Sequence, residues 1–237
     1  MTNRPYNTLF LIMSLDGKIS SGDNDTLDVD ADWKRIDGVK EGLDQYYDLE
    51  KQTDACFFQS GRVFAKIGFN EREPVATKIP VTGVIVDNKP HLTEKGMRYL
   101  SSWLERVIVV TSNTHHPAYG IAENVHVITY EQGIDFAHLF ETLKTKFGID
   151  RVTIQSGGTL NAELLRAGLI DEVSIVVAPL LVGGSATSTL IDGEALHSVD
   201  ELKKLKALEF ISCNLLKYSY LHLRYKVNQE TNLLPVG

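Results

Sequence analysis

One stretch constrains the fold of this 237-residue chain more than any other: Arg151-Val-Thr-Ile-Gln-Ser-Gly-Gly-Thr-Leu-Asn-Ala-Glu-Leu-Leu-Arg-Ala-Gly-Leu-Ile-Asp-Glu. A β-branched apolar run ends in Gly157-Gly158 and passes at once into residues at helical spacing, so a strand over Arg151 to Gln155 is followed by a helix from about Thr159 to Ala167. Leu160, Leu164 and Leu165 should face inward, and Gly168 should end the helix before a further strand over Glu172 to Val177. Strand, helix and strand on such short connections specify an α/β sheet covered on both faces.

The same alternation runs through the rest of the chain. Strands are predicted near Asn7 to Met13, Ala55 to Gln59, Thr82 to Val86, Val107 to Thr111 and Val125 to Thr129. Phe136, Leu139, Phe140, Leu143 and Phe147 fall on one helical face, with Gly148 as the stop. Towards the C-terminus the pattern changes to two consecutive β runs, Ala207 to Cys213 and Tyr218 to Val227, joined around Asn214 to Lys217 as an antiparallel hairpin. A mixed sheet therefore fits better than a purely parallel one. No repeat or linker marks a boundary, so residues 1–237 read as a single domain with its core over about 5–227. Ser20 to Asp32, rich in Asp, Gly, Asn and Ser, reads as a long loop of the kind that often carries function.

A chain with 43% hydrophobic and 23% charged residues can bury a core, and a net charge of −7 argues against a phosphate-backbone binder. No nucleic-acid partner is expected, and the short Lys203, Lys204, Lys206 run reads as a solvated helix face. The apolar run after Met1-Thr2-Asn3-Arg4-Pro5-Tyr6 is too short for a signal-peptide core or a membrane span, so a cytoplasmic protein without membrane contact is expected. Cys56 and Cys213 lie in apolar runs without metal-ligand spacing, which reads as two reduced core residues and no metal site.

At Gly157-Gly158 a strand end meets a helix start, where free N–H groups and the helix dipole favour an anion such as a pyrophosphate. The structural alternative is a tight turn that needs positive φ. Asp16-Gly17, after the first strand, allows the same two readings: a carboxylate projecting at a strand end, or an Asx turn. No Gly-x-Gly-x-x-Gly follows that strand, which discounts a Rossmann dehydrogenase.

Downstream, Asp171-Glu172 opens the strand that ends in Ala178-Pro179, with Gly183-Gly184 soon after. Together with the double glycine and the Leu164-Leu165 helix, this run resembles the reductase domain of bifunctional riboflavin-biosynthesis deaminase/reductases and their stand-alone relatives. Ser14-Leu15-Asp16-Gly17-Lys18 is similar to the signature after that family's first strand, and Thr53 to Ala65 is a looser match. The resemblance covers roughly residues 5 to 225. It implies a dihydrofolate-reductase-like three-layer sandwich: a central mixed, mostly parallel sheet, helices on both faces and a C-terminal antiparallel hairpin. It also implies an NADPH-dependent reductase of a ribosylaminopyrimidine phosphate, and a homodimer, because relatives of this domain are dimers.

By the same resemblance, Gly157, Gly158, Thr159 and Leu160 would hold the cofactor pyrophosphate, and Gly61 and Arg62 would contact the cofactor from the other side. Thr111 and Ser112 would meet the adenosine ribose and its 2′-phosphate, with charge added by His115 or His116 unless these are solvated turn residues. The segment Leu180 to Gly184, with Gly183 and Gly184, would lie against the nicotinamide half. Asp16 would bind the pyrimidine or sugar, and Lys18 would polarise a carbonyl or bind phosphate, or be plain surface.

The chain departs from the family on the substrate side. Thr8-Leu9-Phe10 places an apolar residue where the family has a substrate-facing lysine, and Lys66-Ile67-Gly68-Phe69-Asn70 replaces an Asp-Pro segment. A reductase of a different pterin or carbonyl substrate, or a non-catalytic nucleotide-binding module, fits the same pattern.

Overall fold

The structure, a computed structural model, describes residues 3–233. The first part of the chain contains β1 (Tyr6–Ser14), α1 (Val29–Asp32), α2 (Asp44–Glu50), β2 (Cys56–Ser60), α3 (Gly61–Lys66) and β3 (Ile79–Val86). Next come α4 (Glu94–Trp103), β4 (Leu104–Thr111), β5 (Val125–Thr129), α5 (Phe136–Thr145), β6 (Arg151–Ile154) and α6 (Gly158–Arg166). The chain closes with β7 (Glu172–Ala178), β8 (Leu208–Leu215) and β9 (Leu221–Val227). These elements form two compact units. Unit 1 is Asp54–Ser156 with the segment ending at Pro5, and unit 2 is Tyr6–Thr53 with the chain from Gly157 onward.

Unit 1 is a parallel sheet in the order β5-β4-β3-β2-β6. The run Val107-Ile108-Val109-Val110 in β4 is fully buried, which is how a strand covered on both faces reads. Thr93 caps α4 by accepting from the Gly96 N–H, and Met97 and Leu100 sit three apart on its buried face. Asp135 caps α5 in the same way through the His138 N–H. Phe136, Leu139, Phe140 and Leu143 are buried as their spacing predicts, and Phe58 packs against the rings of Phe136 and Phe140. Phe147 is the exception. The helix ends before it, and its ring meets His126 and the Arg106 guanidinium instead.

Unit 2 has the order β1-β7-β9-β8, with β1 and β7 parallel and both β7/β9 and β8/β9 antiparallel. The predicted mostly parallel sheet with a C-terminal antiparallel hairpin is thus present. Its turn lies later than predicted: Tyr218 and Ser219 take left-handed φ of 57° and 63°, so β9 starts only at Leu221. Tyr220 is fully buried, and its hydroxyl donates to the Val39 carbonyl. Gly42 is required beneath that ring, because a Cβ would lie 2.6 Å from it. Phe10 stacks on Tyr46 at 5.1 Å in the same core as Trp33 and Val176. Buried Val29 and Trp33 anchor the end of the long Ser20 to Asp32 segment, which closes on a helical turn rather than continuing as loop.

Two expectations need correction. Cys213 is exposed on β8, so only Cys56 is a core thiol. In α6 the buried residues are Gly158, Asn161, Ala162 and Leu164, whereas Leu160 and Leu165 are only half-buried. Asn161 takes an inward position because its amide donates to the Leu190 carbonyl, a partner far along the chain. Among the described residues no helix is long and apolar enough to cross a membrane.

Candidate active site

In unit 2 the chain beyond β1 turns sharply. The Gly17 N–H donates to the Ser14 carbonyl, with Gly17 at φ +79°, where a side chain would be strained. This turn is bound to the segment after β7. Backbone bonds join Leu15 to Leu180, Ile19 to Ser188 and Leu190 to Gly17. Asp16 strengthens the junction: Oδ1 accepts from the Ser14 hydroxyl at 2.5 Å and the Val182 N–H at 3.1 Å, and Oδ2 from the Gly183 N–H at 2.7 Å. The Ser14 hydroxyl, followed by the Val182 and Gly183 N–H groups, holds the Asp16 carboxyl down at about 2. Lys18 acts alongside it, with Nζ donating to the carbonyls of Gly184 at 2.7 Å and Thr187 at 2.9 Å. The structure therefore brings Asp16, Lys18, Gly183 and Gly184 together. A carboxylate has about four acceptor positions and an ammonium three protons, so each group retains capacity for one further partner.

The same segment continues to the start of α6. The Asp192 N–H donates to the Gly158 carbonyl at 3.0 Å, and Asp192 Oδ1 accepts from both the N–H and the hydroxyl of Thr189. A Cβ on Gly158 would fall 2.2 Å from the Thr189 carbonyl oxygen and 2.4 Å from Asp192 Oδ2, so close packing fixes glycine there. Gly157 differs. Its φ of −73° suits any residue, a Cβ would meet nothing within 4 Å, and it caps α6 without a side chain. Neither glycine has positive φ, which removes the turn-strain alternative. Open space at Gly157 beside the uncapped first turn of α6, with Thr159 exposed, suits a phosphate group drawn by N–H groups and helix dipole.

In unit 1 the remaining predicted residues lie at the carboxyl ends of parallel strands, where open α/β sheets receive ligands. Gly61 opens α3 after Ser60, and its Cβ would fall 2.4 Å from Asp87 Cγ. Arg62 is exposed. Thr111 is buried: its hydroxyl donates to the Asp87 carbonyl at 2.8 Å and accepts from the Asn113 N–H at 3.0 Å. Ser112 is exposed, with its N–H held by Asn88 Oδ1. His116 is not a solvated turn residue, because Nε2 lies 3.0 Å from Asp87 Oδ2 and the ring is buried. His115 is exposed and turns to the Thr114 hydroxyl.

Residues 5–216 match the family model described as the RibD C-terminal domain. The chain belongs to that family. It is 30% identical over 210 residues to the 2,5-diamino-6-ribosylamino-4(3H)-pyrimidinone 5′-phosphate reductase of Methanothermobacter thermautotrophicus, covering 86% of this chain and 91% of that protein. It is 28% identical to the riboflavin biosynthesis protein RibD of Bacillus amyloliquefaciens, of which the match spans only 54%, so this chain corresponds to about half of that protein. The Acinetobacter baumannii RibD structure, form 1, shares the fold at a TM-score of 0.68 and 20% identity, over 96% of this chain and 59% of that one.

Within this RibD-type chain, two carboxylates that shape the candidate site escaped the sequence reading. Asp192, with Thr189, shapes the α6 start, and the only local signal was the turn pair Asp192-Gly193. Asp87 contacts both Gly61 and Thr111, and its signal was an acidic residue closing an apolar strand. Phe10 lies buried in the RibD-type core, stacked on Tyr46.

Proposed function

We propose that this chain is an NADPH-dependent reductase acting on 2,5-diamino-6-ribosylamino-4(3H)-pyrimidinone 5′-phosphate, or on the related 5-amino-6-(5-phosphoribosylamino)uracil, in riboflavin biosynthesis. The substrate reading rests on the nearly whole-length match to a stand-alone reductase of the first name. The family match, over residues 5–216, takes in residues of both units, which supports one functional domain.

The observation that carries the cofactor reading is the open, uncapped start of α6 at Gly157. In unit 2 the N–H groups of Gly158, Thr159 and Leu160 would hold the pyrophosphate. In unit 1, Gly61, Arg62, Thr111 and Ser112 are the proposed nucleotide contacts, Thr111 through its support of neighbouring backbone rather than its own occupied hydroxyl. When bound, NADPH would supply the hydride, with a proton from solvent, for reduction of the ring-opened ribosyl or imine carbon to the ribityl product. Asp16 and Lys18 hold Val182 to Thr187 in place, and each offers one remaining hydrogen-bonding position to the pyrimidine, sugar or phosphate. Leu15 and Leu181, strongly exposed on the joined segments, give an apolar surface suited to a flat ring.

We infer a cytoplasmic homodimer. In β8, Phe210 is 61% and Leu215 78% exposed, and a free edge strand with such residues is an aggregation hazard unless a second copy covers it.

Calorimetric titration with NADPH and NADH tests the reading. The parent chain should prefer NADPH. Gly157→Asp should weaken NADPH binding by about tenfold or more, from charge repulsion at the phosphate position, while its melting temperature stays near the parent's because a side chain has room there. Loss of nicotinamide absorbance with the pyrimidinone phosphate should follow. Failure to bind either nucleotide would overturn the reading.

A further inference from the structure

Asp87 is a buried carboxylate that none of the proposed chemistry uses. It closes β3 and gathers donors from two loops. The His91 N–H lies 3.1 Å from both oxygens, the Leu92 N–H 3.1 Å from Oδ2, His91 Nδ1 2.8 Å from Oδ1 and His116 Nε2 3.0 Å from Oδ2. His116 Nδ1 accepts from the Ala118 N–H, which leaves Nε2 to carry the proton toward Asp87. Burial alone would push the Asp87 carboxyl up, but the bonds from His116 and His91 and from the Leu92 and His91 N–H groups outweigh it and hold it below the usual carboxylate range.

Burying an ionised carboxylate is costly, and a well-packed apolar side chain would often serve stability as well. What an apolar residue could not do is draw the His91-Leu92 loop and the His116 loop onto the end of β3 through hydrogen bonds. The α-carbon of Gly61 rests on the Asp87 side chain, and His116, held by the carboxylate, donates its own N–H to the Asn113 carbonyl just beyond Thr111 and Ser112; the backbone of Asp87 separately accepts from the Thr111 hydroxyl and donates to the Val110 carbonyl. Its neighbour Asn88 holds the Ser112 N–H.

We propose that the Asp87 carboxylate is a positioning group for nucleotide binding, fixing the Gly61 backbone by direct packing and the Thr111-Ser112 turn through His116, from behind and without touching the ligand. This rests on the reading that the chain binds NADPH. Sites whose supporting residues are loosened by about 1 Å lose function before they lose the fold.

The test compares the parent, Asp87→Asn, His116→Gln and His116→Leu as full chains, by calorimetric Kd for NADPH, steady-state KM for each substrate and thermal melting. Asp87→Asn should raise Kd and KM for NADPH about tenfold, with KM for the pyrimidine substrate moving less than about twofold. His116→Leu should shift NADPH affinity in the same direction, and His116→Gln, which keeps an N–H donor, should restore most of it. The histidine pair decides the matter should Asp87→Asn not fold. Lower melting temperatures with unchanged NADPH affinity would make Asp87 a stability residue only and overturn the proposal. A parent chain that binds no NADPH would overturn the functional reading and this inference with it, whereas a binding parent with equally tight variants would overturn this inference alone.

Discussion

Asp16 in unit 2 and Asp87 in unit 1 both end apolar strands and both organise loops, yet they do so under opposite conditions. Asp16 is exposed and takes its donors from a hydroxyl and two backbone N–H groups of a glycine-containing segment. Asp87 is buried, and two of its donors are imidazoles. Water can replace the lost partners of the first carboxylate but not those of the second, so the same residue type governs loop placement in one unit and loop integrity in the other.

The largest effect that could break this comparison is on stability. Asp87→Ala leaves the buried His116 donor without its partner, and denaturant unfolding should show a loss of about 3–5 kcal/mol. Asp16→Ala should barely move the midpoint and instead lower kcat/KM, as the Val182 to Thr187 segment loosens. Equal losses of stability would collapse the distinction.

A smaller effect is expected at the glycines that abut these carboxylates. Gly61→Ala places a methyl 2.4 Å from Asp87 Cγ, and Gly158→Ala places one 2.2 Å from the Thr189 carbonyl oxygen. Each should destabilise by about 1–3 kcal/mol in denaturant titrations, and Gly157→Ala should not.

The smallest effect is in acid. Because the folded Asp16 carboxyl sits at about 2, below its ordinary 3.8, its contribution is fully present above 3.8 and fades as pH falls toward 2. Melting temperatures of the parent and Asp16→Asn should therefore differ slightly above pH 4 and converge below it, with the gap narrowing in high salt. Asp87, also held low, should lose its contribution in the same direction, so Asp87→Asn should show a flatter acid limb than the parent.

Much of this was legible in the sequence. Strand and helix runs such as Val107 to Thr111 and Phe136 to Leu143 announced themselves because periodicity is a local property of the chain. The motifs Ser14 to Lys18, Gly157-Gly158 and Ala178 to Gly184 pointed to the right family for the same reason. The roles of individual residues within those motifs were less visible. Asp16 and Lys18 stood out as chemistry-bearing side chains, but apart from Ser14 the partners of their side chains lie more than 160 positions away, so their part in holding Val182 to Thr187 could not be read from neighbours.

What the sequence determined alone was the class of fold, the order of its strands, two of its helices and the family, because these depend on spacing and on short motifs. Tertiary structure decided which of two adjacent glycines is free to face a ligand. Gly158 is fixed by Thr189 and Asp192, Gly157 by nothing within 4 Å, and two identical residues side by side carry no local mark of that difference. It also decided that Thr111 and His116 serve Asp87 rather than solvent, since burial and hydrogen-bond partners are set by which distant segments the fold brings together.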